Sequence, residues 1–258
     1  MGLPLARGGY VPVSLGSGRG GRTSAAGAVL SHGPVTVYDV ARALPGIEEL
    51  RDHSRGLAML DAVLCPEWEG RYYSFDAHWS ESEQLASMKN GSGDEYTIVL
   101  SPAGAYARVF DHESPLSPFG PLADGQTWPG VLDGVPEAFR EYLTEPAFTD
   151  EDGVHVTTAC LWRETADTAW RTGPVAFPDL DDHEDPDGSG RLLHLLVDRS
   201  AEAYAEWAAD YYERPVDLEA VRHVLALRPL TPELVATLNP ETDPAGLAED
   251  VREIGYPA

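Results

Sequence analysis

The stretch Asp111-His112-Glu113-Ser114, in "VFDHESP", gathers a carboxylate, an imidazole and a second carboxylate within a few positions. An imidazole titrates near neutrality and a carboxylate orients it or joins it as a ligand, so the set suits acid–base chemistry or a metal. His78 stands at the end of another alternating segment, "RYYSFDAHW", from which it could approach the same place. His78, Asp111, His112 and Glu113 are therefore the candidate catalytic residues. The same residue types also form ordinary solvated turns at strand ends, and position alone is not geometry.

Other patterns are weaker. G-x-S-x-G, the elbow of a serine hydrolase, is absent. Cys65 and Cys160 match no zinc or C-x-x-C spacing. His155 precedes Cys160 by an odd number of positions, so on one continuous strand the two would point to opposite faces. Gly16, Gly18 and Gly21 with Asp39 imitate a dinucleotide fingerprint, in which the last residue would meet the ribose. Against it, Pro12 interrupts the first strand and no alternation of strands and helices follows. "DLDDHEDPDGSG" resembles a calcium loop in its register from His183, with Asp185, Asp187 and Gly188 in step. Positions one and twelve hold His183 and His194 where Asp and Glu belong, which favours a solvated acidic loop. No cofactor and no metal is expected.

The run "MKNGSGDEYTIVLS" asks whether its glycines cradle a phosphate. A phosphate loop opens a helix, whereas Tyr96, Ile98 and Leu100 begin a period-two strand. Asn and Gly tolerate positive φ, so residues 91–94 read as a solvent-facing hairpin loop.

The elements that must position these residues follow from periodicity. Ile47, Leu50, Leu57, Leu60 and Leu64 recur on one helical face, and Pro66 stops that helix. Alternating segments at 72–79, 83–89, 95–101 and 105–111 are joined by short turns, and 154–163 with 168–172 reads as a second hairpin. Short turns imply antiparallel neighbours, hence a meander. Pro136 opens a helix with Phe139, Tyr142 and Leu143 inward. Ser200, Asp217, Thr231-Pro232 and Asp243-Pro244 are helix starts, and Gly255 is a stop. The expected fold is α+β: an N-terminal helix, an antiparallel meander sheet and a helical C-terminal section. Residues 1–34 read as a flexible or over-extended tail, 35–178 as the sheet domain, 179–190 as the acidic loop, and 191–258 as helices packed on the same core.

Composition narrows the function. The 258 residues carry 43 acidic side chains against 18 basic ones, a formal charge of −25. Such a field repels nucleic acid and anionic membranes and favours a basic protein partner or plain solubility. No apolar run reaches the length of a membrane helix, and Lys89 is the single lysine among arginines. The reading is a cytoplasmic protein of a high-GC bacterium. The function it favours is a non-enzymatic acidic interaction module, an immunity-type inhibitor being one concrete form. The alternatives are a small hydrolase near His112, with or without a metal, and a nucleotide-binding protein using Gly16–Gly21.

Overall fold

The computed structural model describes residues 35–179 and 183–258. The glycines at 16, 18 and 21 and the proposed tail lie outside the described residues. The described residues fall in one compact unit.

Two helices open it, α1 (Val37–Ala43) and α2 (Ile47–Leu64). The α1 helix was not anticipated. Its start is a capping box in which Asp39 accepts hydrogen bonds from the backbone and hydroxyl of Thr36, at 3.1 and 2.9 Å. Asp39 thus serves a helix terminus. On α2, Leu50, Leu57, Leu60 and Leu64 are buried and Ile47 is half-buried, as the 3.6-residue period requires. Its last carbonyls, left without helical donors, are met from the C-terminal section. Thr242 Oγ1 donates to Val63 O at 2.7 Å, and Arg214 Nη2 donates to Leu64 O at 2.8 Å.

The sheet is an antiparallel meander in chain order: β1 (Tyr73–Asp76), β2 (Gln84–Lys89), β3 (Glu95–Ser101), β4 (Gly104–Phe110), β5 (Ala159–Glu164) and β6 (Arg171–Thr172). With the flanking helices this is an α+β fold. Every residue of β4 is buried, because both sheet faces are covered. One face, with Phe75, Met88 and Tyr96, packs under α2. The other, with Tyr106 and Arg108, meets the 3₁₀ segments Glu137–Thr144 and Pro146–Phe148. Phe139 and Tyr142 point inward there, and Leu143 is partly buried against them.

Two segments are shorter than their patterns suggest. The fifth strand begins at Ala159, not at residue 154. Over 154–158 the Thr157 and Thr158 hydroxyls bond to the Val109 carbonyl and bend the chain away from the ladder. The sixth strand is reduced to Arg171–Thr172.

The remaining helices are α3 (Ser189–Leu192), α4 (His194–Val197), α5 (Ala201–Tyr211), α6 (Leu218–Leu225), α7 (Pro232–Leu238) and α8 (Ala248–Ile254). Ser200, Asp217 and Thr231 each accept a hydrogen bond from the backbone three positions on. Asp243-Pro244 opens the 3₁₀ turn Pro244–Leu247 that leads into α8, and Gly255 ends it at φ 65°. Tyr204, Val224, Leu238 and Ile254 join the core under the sheet. Among the described residues, no helix is long and apolar enough to cross a membrane.

Candidate functional site

Asp111, His112 and Glu113 leave the C-terminal end of β4, beside the loop that joins β2 to β3. That loop turns the chain. Asn90 Oδ1 accepts from the backbone of Ser92 at 2.8 Å and of Asp94 at 3.1 Å, closing an Asx turn. Gly91 and Gly93 take φ of 74° and 111°, where a side chain is strained. Residues 91–93 face solvent. Asp94 corrects the solvent-facing reading of 91–94, because it is buried.

The buried Asp94 carboxylate is the centre of the site. Its Oδ1 accepts from the backbone of His112 at 3.0 Å and from the imidazole Nδ1 at 2.6 Å. A carboxylate only accepts, so Nδ1 carries the proton and Nε2 is left outward on an exposed side chain. Asp94 Oδ2 accepts from Asn90 Nδ2 at 2.8 Å and Arg191 Nη2 at 3.0 Å. The same Nη2 donates to Asp111 Oδ2 at 2.8 Å, while Asp111 Oδ1 accepts from the backbone of Glu113 at 2.9 Å.

Electrostatics follow the contacts. Burial pulls the Asp94 carboxyl upward, but the hydrogen bonds from His112 and Arg191 outweigh it and hold it below 3.8. His112 is raised above the ordinary imidazole value, chiefly by its bond to Asp94. Asp94, Asp111 and His112 offer ligand atoms within 4.8 Å of one another, the spacing of a shared cation. Arg191 Nη2, bonded to both carboxylates, supplies positive charge there from the chain itself.

His78 does not join them. Strands β1 and β4 run antiparallel, so their C-terminal ends lie at opposite edges of the sheet. His78 lines a polar cleft of about 400 Å³ with Arg51, Ser80 and Glu83. Glu113 is exposed and has no ion-pair partner among the described residues. Ser114 is buried, and its hydroxyl donates to Pro186 O at 2.7 Å.

Sequence reasoning missed Asp94 and Arg191. Asp94 has the chemistry of a turn former, and nothing in the spacing ties it to His112. Arg191 comes from α3, held there by the acidic loop. Asp185 accepts from the backbone of Gly190 and Arg191 at 3.1 and 2.7 Å; Asp187 accepts from Val37 and Ser189 at 2.8 and 2.9 Å. Asp187 is fully buried, and burial pushes its carboxyl up to about 6, so this part of the loop is an anchor and not a solvated run. Gly188, at φ 74°, lets the backbone pass Asp111, where a Cβ would lie 2.4 Å from the Asp111 Cβ.

For His155 and Cys160 the parity expectation lapses, because residues 154–158 are not strand. His155 Nε2 lies 3.1 Å from the Tyr106 hydroxyl, which also lies beside Cys160. Burial pushes the Cys160 thiol up to about 12 and His155 down to about 4, so at neutral pH the thiol stays protonated and the imidazole neutral. Both cysteines are free thiols, and Cys65 is half-buried.

The molecule is thus an α+β protein with an internally paired Asp–His–Arg cluster at one sheet end. No family model matches the chain, and the searches of curated proteins and of solved structures find no significant match.

Proposed function

We propose that the chain is an acidic protein-interaction module that engages a basic protein partner, in the manner of an inhibitor or immunity protein. The observation that carries this reading is the pairing of Asp94 and Asp111 with Arg191. The carboxylates best placed for chemistry are engaged within the fold, whereas the chain as a whole carries a formal charge of −25. Charge complementarity needs no catalytic residues, steers encounter and rejects acidic competitors. Blocking a basic active cleft is one use of such a surface.

The test is capture of a partner from the native host at low and high salt. Screening shortens from about 8 Å at physiological ionic strength to about 3 Å at 1 M, so capture falls steeply with salt. Alanine at His112 and Glu113 leaves it intact. Salt-insensitive capture removes the reading.

One observation favours a second reading, a small hydrolase. His112 is oriented by a buried carboxylate at 2.6 Å with Nε2 outward, the arrangement of a general base. Its test is hydrolytic activity on ester and phosphoester panels that His112→Ala abolishes with folding intact. Among the described residues Asp111 and Glu113 line a cleft of about 350 Å³, but His112 is absent from its lining, which places this reading second.

A further inference from the structure

The clefts of the molecule differ in kind. The one at His78 is walled by Ser80, Glu81, Ser82, Glu83 and Gln84. A groove of about 720 Å³ between α7, the turn Pro244–Leu247 and α8 is apolar. Val235 and Leu247 form its buried floor, Leu230 and Val251 are half-buried, and Pro232 and Ala245 stand exposed at its rim. Each of these is shaped by helix chemistry. Pro232 and Pro244 sit at first helical positions, where a missing N–H costs nothing, and so present their rings outward.

Carboxylates outnumber cations near this apolar strip, and Asp243 stands in its lining. Residues 230–258 carry six carboxylates against Arg252 alone. Arg252 bonds Glu249 at 3.4 Å, and Asp250 pairs with Arg71 at 2.5 Å. Glu233, Glu241, Asp243 and Glu253 have no ion-pair partner among the described residues. An apolar floor lined by Asp243, in a segment with an excess of carboxylates, complements apolar side chains flanked by Lys or Arg. A second copy of this chain would bring another −25 and is disfavoured, as are nucleic acid and anionic lipid.

We infer that this groove docks a basic amphipathic segment of a protein partner. The inference rests on the acidic-module reading and names the face that does the binding. Apolar contacts in the groove hold the segment, and the carboxylates set its polarity and its on-rate.

The test uses the whole chain and a short labelled Leu/Lys peptide of helical amphipathic pattern, with its Leu/Glu counterpart as control. Anisotropy at low salt is expected to show binding of the Leu/Lys peptide and none of the Leu/Glu one. Ala248→Trp, at an exposed lining position, fills the groove and weakens binding by about tenfold or more, and Ala245→Trp does the same. Glu233→Gln with Glu253→Gln lowers affinity and flattens its salt dependence. Thermal unfolding of each variant checks that the fold persists. Undiminished binding by both Trp variants overturns the inference, as does peptide-induced hydrogen-exchange protection confined outside 230–258. If the native partner is still captured in a salt-sensitive way, the acidic-module reading survives and only the groove falls. Salt-insensitive capture sinks that reading itself.

Discussion

Asp61 and Asp94 are both buried aspartates, yet the fold moves them in opposite directions. Asp61, on α2, accepts from the backbones of Tyr72 and Tyr73 at 2.8 and 2.7 Å and from the Tyr204 hydroxyl at 3.2 Å. Its donors are all neutral, and burial pushes the carboxyl up to about 6. Asp94 has the imidazole of His112 and the guanidinium of Arg191, and is held low. Burial raises the free energy of the charged form in both places, and at Asp94 the bonds from His112 and Arg191 reverse it. The chain has few cations to deploy. Arg191 is placed at the sheet end and Arg108, with Glu95, inside the sheet layer.

The contrast breaks first at Asp61. Asp61→Ala removes the acceptor for two backbone amides and a buried hydroxyl at once, joining α2, β1 and α5. The cost is roughly 3 kcal/mol or more by equilibrium denaturation. A loss under about 1 kcal/mol would mean that water replaces the carboxylate. Asp61→Asn keeps an acceptor and isolates the titration. The native carboxyl sits at about 6 against an ordinary 3.8, so the folded state holds the proton more tightly. That contribution is full below 3.8 and is lost as pH rises through 6. The Asn variant should therefore lose more stability, relative to the parent, near about pH 5 than near about pH 7.5. The reverse trend would show Asp61 to be stabilised as an anion.

At the other centre, Gly188→Ala forces a side chain into a left-handed position and against Asp111. The expected cost is about 1–3 kcal/mol, measured by thermal unfolding, and parent-like unfolding would contradict the close approach. A smaller effect sharpens the contrast. The His112 imidazole should titrate above 6.5 by NMR and fall toward that value in Asp94→Asn. The His112–Asp94 contribution is full below 6.5 and is lost as pH rises through the folded value. No change on substitution would uncouple the two residues.

Much of the fold was legible because its signals are local. The period of α2, the caps at Ser200, Asp217 and Thr231, and the Asn90–Gly93 turn each depend on residues within a few positions of each other. The β2–β3–β4 ladder follows from short turns alone. The short helix at Val37–Ala43 was missed although its Thr36–Asp39 cap is local; seven residues are too few to hold alone, and Asp187, 150 positions away, holds its first amide. The site was half legible for the same reason. Asp111 and His112 announce themselves by type, whereas their partners Asp94 and Arg191 arrive through the hairpin loop and the acidic loop. His78 was misplaced because strand order, which periodicity does not contain, decides which strand ends meet.

Arg191 closes the cluster from within, and the proposed function depends on that closure. Its most direct test is a double-mutant cycle of Arg191→Met and Asp111→Asn by equilibrium denaturation. The two partners lie 2.8 Å apart, with Asp111 buried and Arg191 half exposed. The prediction is a coupling of roughly 0.5–1.5 kcal/mol, with each single variant less stable than the parent. Costs that add within about 0.3 kcal/mol, or an Arg191→Met variant as stable as the parent, would contradict it and leave those carboxylates open to chemistry.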